Sequence, residues 1–116
     1  MDTVSNYTET LEKTIRDLLE RQDDLIRTAF TDQLTGLGNR GGFARSLEEL
    51  WEQDIPVTMA FIDIDNLKHC NDVFGHDEGN RYILQVSLYL KLYMKVDEAA
   101  FRIGGDEFAI LSTIAT

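Results

Sequence analysis

Three features of this chain predict an α+β domain carried on a long N-terminal helix. Residues 1–30 contain neither Gly nor Pro and repeat apolar residues at heptad spacing. Residues 57–64 form a nearly unbroken apolar run, the pattern of a buried strand. Two short apolar runs, 99–103 and 108–111, flank Gly104-Gly105-Asp106-Glu107, a β-hairpin signal. With the segments between them, the chain reads helix, helix, β, α, β, β, with no internal repeat and no low-complexity stretch.

Along the first helix, Leu11, Leu18 and Leu25 recur every seven residues, with Ile15, Gln22 and Ala29 four places after each. Taking the leucines as d and the second set as a gives a seam that a parallel partner could cover, with polar Gln22 fixing register at some cost in stability. Leu19 and Ile26 broaden the stripe, and packing of an amphipathic helix on its own domain is the alternative. Thr31 to Arg40 is a polar, glycine-rich break. Phe43, Leu47, Leu50 and Trp51 then recur at helical spacing and predict a helix over 40–52. After Pro56, the run from Val57 to Ile64 predicts a strand buried on both faces and central in its sheet. Residues 68–79 are polar with two glycines and predict a loop, and Tyr82 to Met94 predicts a further helix.

The composition narrows what such a domain could do. The chain has 116 residues, of which 43% are hydrophobic and 28% charged, ordinary for one small globular domain. Eleven Lys and Arg face 21 Asp and Glu, a net charge of -10, which argues against a nucleic-acid groove because phosphate binding needs clustered cations. No apolar run approaches a membrane span, and Met1-Asp2-Thr3-Val4-Ser5 lacks the cationic start of a signal peptide. Cys70 has no partner for an internal disulfide, so a reducing cytoplasm is the expected compartment.

Candidate chemistry collects at two places. Asp63 and Asp65 end the apolar run, and strand residues two apart share a face. A carboxylate there costs free energy unless it is paired, solvated or metal-bound; a loop-capping role is the plain alternative. In Arg102-Ile103-Gly104-Gly105-Asp106-Glu107-Phe108, the glycines are expected to supply the positive φ of a tight hairpin and room for another molecule. A hairpin beside the strand could bring Asp106 to Asp63, and converging carboxylates suit Mg²⁺, which takes remaining ligands from water and phosphate. Between these segments Lys68 is placed to meet phosphate, and Asn71, Asp72 and Asn80 offer donors and acceptors for a nucleobase edge. His76, in a glycine-flanked loop, is expected to hydrogen-bond backbone. No Cys and His arrangement has zinc spacing.

Asp32-Gln33-Leu34-Thr35-Gly36-Leu37-Gly38-Asn39-Arg40, then Asp63-Ile64-Asp65 through Lys68, Asn71-Asp72, Gly75-His76 and Gly79, then Arg102 to Phe108, resemble the GGDEF domain of bacterial diguanylate cyclases. The resemblance covers residues 31–111. It implies a ferredoxin-like nucleotidyl cyclase palm that condenses two GTP into cyclic di-GMP with loss of two pyrophosphates across a homodimer. It implies two Mg²⁺ or Mn²⁺ per active site, held by Asp63, the Ile64 carbonyl, Asp106 and Glu107. Asp106 and Glu107 are the implied catalytic carboxylates, with Glu107 supporting the second metal or deprotonation of the 3′-hydroxyl. Lys68 is similar to the phosphate-binding lysine, Asn71 and Asn80 to the guanine-reading pair, and Gly104 and Gly105 to the bare turn under the substrate; His76 falls among the implied substrate-binding positions. Residues 1–30 resemble the connector that joins upstream sensor domains to these cyclases, leaving 31–116 as the GGDEF portion.

The departures from the family pattern carry expectations too. Asn80 stands where the family usually has Asp, and an amide accepts guanine N–H groups less strongly than a carboxylate. Lys95 and Glu98 stand at the Arg and Asp of the family's inhibitory product site, and lysine cannot reproduce arginine's planar fork. The family continues past Thr116 with another helix and strand, so the resemblance implies a C-terminally truncated domain lacking both. Its first strand would be left as an exposed edge that self-association could cover. A noncatalytic GGDEF module that binds GTP, or a regulatory dimerisation element, is the alternative function.

Overall fold

The computed structural model describes residues 3–113. Its elements run α1 (Thr3–Phe30), α2 (Arg40–Glu52), β1 (Thr58–Asp63), α3 (Leu67–Phe74), α4 (His76–Tyr93), β2 (Glu98–Arg102) and β3 (Glu107–Ser112). The three strands form one antiparallel sheet in the order β1-β3-β2. The α+β architecture, the 40–52 helix and the hairpin are as the sequence predicts.

The sheet sorts its side chains into two faces. Ile62, Phe108, Ala60, Ile110 and Ala100 are cross-strand partners on one face, and Phe61, Ala109, Phe101, Met59 and Leu111 on the other. The first face packs under α4 through Ile83, Val86 and Leu90, with Leu37, Ile64 and Leu67 completing the core. Phe108, fully enclosed, is its centre. On the second face Phe43 of α2 sits edge-on to Phe101 and Phe61, with ring centroids 5.6 Å and 6.1 Å away.

Two predicted features differ. β1 is not central, as its apolar run alone predicts, but an edge strand, as the family resemblance implies, and β3 is the central one. The apolar run of β1 reflects a strand with two apolar faces rather than a central position: Ile62 faces the core, while Phe61 is still 64% exposed. The loop expected over 68–79 is instead α3 and the first turn of α4. Gly75, at φ 90°, does break the chain there. Gly79, however, lies buried inside α4, where an added Cβ would stand 1.7 Å from Asn71 Oδ1. It is a packing glycine at the α3–α4 crossing and therefore looks like a loop signal in sequence.

No residue of α1 is buried, and only its C-terminal end meets α2. Its 28 residues extend about 42 Å. The radius of gyration is 19.9 Å, against about 13 Å for a compact chain of this length. The helix thus stands off the domain, and Leu11, Leu18 and Ile15 remain more than half exposed. Packing on its own domain, the alternative for this stripe, is confined to the C-terminal end of α1, around Ile26 and Phe30.

Candidate functional site

The end of β1 and the β2–β3 turn meet because the register pairs Asp63 with Glu107, the last residue of β1 with the first of β3. The turn closes on the Glu107 carbonyl, which accepts from Ile103 N–H at 2.9 Å and Gly104 N–H at 3.3 Å. Neither glycine of the turn has positive φ, contrary to expectation; among the described residues only Gly36 and Gly75 are left-handed glycines. An added Cβ would meet nothing at Gly105 and only ordinary contacts with Glu107 at Gly104. The fold itself therefore makes no demand for glycine at either position, and what their lack of side chains provides is clear space over the turn.

Into this corner project three carboxylates. Asp63, Asp106 and Glu107 each place a ligand oxygen within 4.8 Å of the others, and all three residues are exposed. Among the described residues none of the three is in an ion pair with a protein cation. Like charges so close repel unless a cation sits between them, and an all-oxygen donor set suits a hard divalent ion. A cleft of about 290 Å³ lined by Phe61, Ile62, Asp63, Ile103, Glu107 and Phe108 opens beside them. Asp65 does not join the cluster: β1 ends at Asp63, the alternation ends with it, and Asp65 lines a different cleft with Asn66 and Leu67. Asn66, in left-handed backbone at φ 62°, turns the chain from the strand into α3.

The remaining predicted site residues occupy α3 and α4. Lys68 lies exposed in the first turn of α3, and His76 opens α4. Neither side chain has a hydrogen bond or ion pair among the described residues, so the backbone bond expected of His76 is not made. Asn71 tucks its amide against Gly79, leaving Oδ1 enclosed with no hydrogen-bond partner. Asn80 is exposed in the next position of α4. Ile64 is buried in the core, and its N–H donates to the Asp106 carbonyl at 2.8 Å. At the turn before β2, the Glu98 carboxylate accepts the Lys95 N–H at 3.1 Å.

Two further residues hold the turn, and sequence reasoning gave them no role. Arg102, the last residue of β2, donates through Nη2 to the Gly105 carbonyl at 2.9 Å and through Nη1 to Asp32 at 3.3 Å. Asp32 also accepts from the Thr35 hydroxyl at 2.7 Å and the Thr35 N–H at 2.9 Å. Burial works to raise the Asp32 pKa, but the Thr35 bonds and the Arg102 charge outweigh it and hold the carboxyl below its ordinary value. A basic residue closing an apolar strand next to a glycine turn was the available signal.

The family model described as "Diguanylate cyclase, GGDEF domain" matches residues 29–116. Diguanylate cyclase DgcP of Escherichia coli is 37% identical over 105 residues, which cover 87% of this chain and 31% of the relative. Diguanylate cyclase DgcN of the same organism is 38% identical over 97 residues, covering 81% and 24%. Among solved structures, the coiled coil and GGDEF domain of DgcB from Caulobacter crescentus, in complex with c-di-GMP, superposes with a TM-score of 0.84 at 28% identity. That match covers 99% of this chain and 63% of that one. The chain thus spans about a quarter to a third of the length of these two curated relatives.

Proposed function

The chain belongs to the diguanylate cyclase GGDEF domain family, and we propose that its site condenses two GTP molecules into cyclic di-GMP. The observation that carries this reading is the meeting of Asp63, Asp106 and Glu107 beside a glycine turn open to solvent. Exposed carboxylates without a protein cation fit Mg²⁺ or Mn²⁺, which retain water and bind phosphate oxygens. Asp63, Asp106, Glu107 and the Ile64 carbonyl would hold two such ions, which supply positive charge at the α-phosphate and acidify the ribose 3′-hydroxyl.

The chain's own groups then have separable tasks. Lys68 offers its ammonium to the triphosphate. Asn71 and Asn80 read the guanine edge, Asn80 from an exposed position on α4 and Asn71 by turning its amide out of the α3–α4 contact, where Oδ1 has no hydrogen bond to lose. His76, exposed at the start of α4, adds a donor to the substrate. Gly104 and Gly105 let the phosphates approach the backbone. Glu107 takes the proton as each 3′-oxygen bonds to the other nucleotide's α-phosphorus and the bond to the departing pyrophosphate breaks. Two sites must face each other for this, and α1, with its uncovered heptad stripe, is the element we assign to pairing two chains and to receiving an upstream sensor's signal. The GTP pool and the single Cys70 fit a cytoplasmic setting.

The test is incubation of the protein with GTP and Mg²⁺, followed by chromatographic detection of cyclic di-GMP. Product that disappears with Asp106→Ala is the expected result. Metal-dependent GTP binding without product would replace the cyclase reading with that of a noncatalytic nucleotide-binding module, and product unaffected by Asp106→Ala would refute the assignment of the site.

A further inference from the structure

We propose that Arg102 is the positioning residue for Asp106, acting through the Gly105 carbonyl; the inference rests on the reading of the carboxylate cluster as a divalent-cation site. Asp106 follows two glycines whose surroundings leave them free, so nothing in the turn's side chains holds its backbone. It is held instead by the two peptide planes on either side. The carbonyl of the Gly105–Asp106 peptide accepts from Arg102 Nη2 at 2.9 Å. The carbonyl of Asp106 itself accepts from Ile64 N–H at 2.8 Å. With both planes fixed, the Asp106 Cα–Cβ bond points one way, toward Asp63 and Glu107.

The guanidinium can do this because it is itself anchored. Its side chain is only 16% exposed, and its Nη1 forks onto Asp32 at 3.3 Å and 3.4 Å from the two carboxylate oxygens. Asp32 in turn is fixed by both Thr35 donors. The Nε of Arg102 is enclosed without a partner, so the group gives up one hydrogen bond to reach both Asp32 and Gly105. Lysine, a single point donor, cannot span that pair.

A general electrostatic role predicts the opposite sign from a positioning role. Removing a cation near three carboxylates should strengthen binding of a divalent ion. Losing the restraint on Asp106 should weaken it. The experiment titrates the protein with Mn²⁺, read by electron paramagnetic resonance, and compares ¹⁵N relaxation of the Gly104, Gly105 and Asp106 amides in the unaltered chain, Arg102→Met and Arg102→Lys. Both variants are expected to bind Mn²⁺ about 10-fold more weakly, the lower end of what losing an outer-shell partner does. Both should also show new fast motion at the three amides. Tighter or unchanged Mn²⁺ binding in folded Arg102→Met, or full retention in Arg102→Lys, would overturn the proposal. Should Arg102→Met not fold, Arg102→Lys and Asp32→Ala, which removes both acceptor oxygens that anchor the guanidinium, decide it. Asp106→Ala checks the underlying reading separately: if it leaves Mn²⁺ binding intact, the metal lies elsewhere, and the amide relaxation alone then judges whether Arg102 orders the turn.

Discussion

Alanine should have contrasting effects at two glycines of this domain. At Gly79 a Cβ would stand 1.7 Å from Asn71 Oδ1 between two packed helices. Gly79→Ala is expected to cost about 1–3 kcal/mol, as overpacking does, read as a lowered thermal midpoint. Asn71→Ala combined with Gly79→Ala should recover most of that loss, since the clash needs both side chains. At Gly105 a Cβ meets open space and the backbone is not left-handed. Gly105→Ala should change stability by no more than about 0.5 kcal/mol, so a drop in GTP affinity in that variant would support the proposed approach of the nucleotide to the turn. Asp32 gives a pH signature of its own. Its folded-state pKa lies below the ordinary 3.8. The stabilisation it contributes is thus complete above its unfolded value and is lost as pH falls through the folded one. Asp32→Asn should therefore be less stable than the unaltered chain at neutral pH, with the difference shrinking as denaturation is measured at successively lower pH below about 4.

Among the elements, α1 makes the plainest demand for a partner. Leu11, Leu18 and Leu25 are 53%, 59% and 71% exposed along one stripe. Each leucine fully covered by a second helix would contribute roughly 1.5–3 kcal/mol. The chain is expected to sediment as a dimer at micromolar concentration, and a triple change of these leucines to Glu should leave a folded monomer. A monodisperse monomer before any substitution would rule out the helical seam, along with pairing through the open edge of β1. What the sequence made legible follows from how local the signal is. The heptads, the apolar strand and the hairpin are patterns within a few residues, and the carboxylate cluster could be anticipated because a strand end and a turn had one plausible meeting place. α3 was hidden because Gly75 and Gly79 look alike in sequence yet act differently, one ending a helix and the other letting two helices touch. The Asp32–Arg102 pairing spans 70 residues, so local pattern marks Arg102 beside the turn but not its partner.

For the molecule as a whole, the question is how a helix standing off the domain can be mechanically joined to it. The molecule measures 68 × 40 × 21 Å, and the joint is small. Asn39 lies at its centre. Its Nδ2 donates to the Ala29 carbonyl at 2.8 Å and its N–H to the Phe30 carbonyl at 3.0 Å, closing the end of α1. Its Oδ1 accepts the Gly42 N–H at 2.8 Å, capping the start of α2. One side chain thus satisfies the C-terminus of one helix and the N-terminus of the next. Around it, Gly42 lets Phe30 approach closely, and the Arg45 guanidinium lies 4.7 Å over the Phe30 ring. Beyond it, the Gly38 carbonyl accepts the Arg102 N–H at 2.8 Å, so the joint continues in hydrogen bonds to the residue that grips the turn. If that path fixes the angle of α1, Asn39→Ala should loosen the angle before it unfolds the domain, since loss of a cap costs only about 1 kcal/mol. Spin labels at exposed Glu12 and Gln85, with Cys70 changed to Ser and labelled chains diluted in unlabelled ones, report the angle as a distance distribution. A broadened distribution in Asn39→Ala with near-native thermal unfolding is the expected outcome. An unchanged width would mean that the Phe30 contacts alone hold α1, and that rotation of the helix reaches the domain through packing rather than through Asn39.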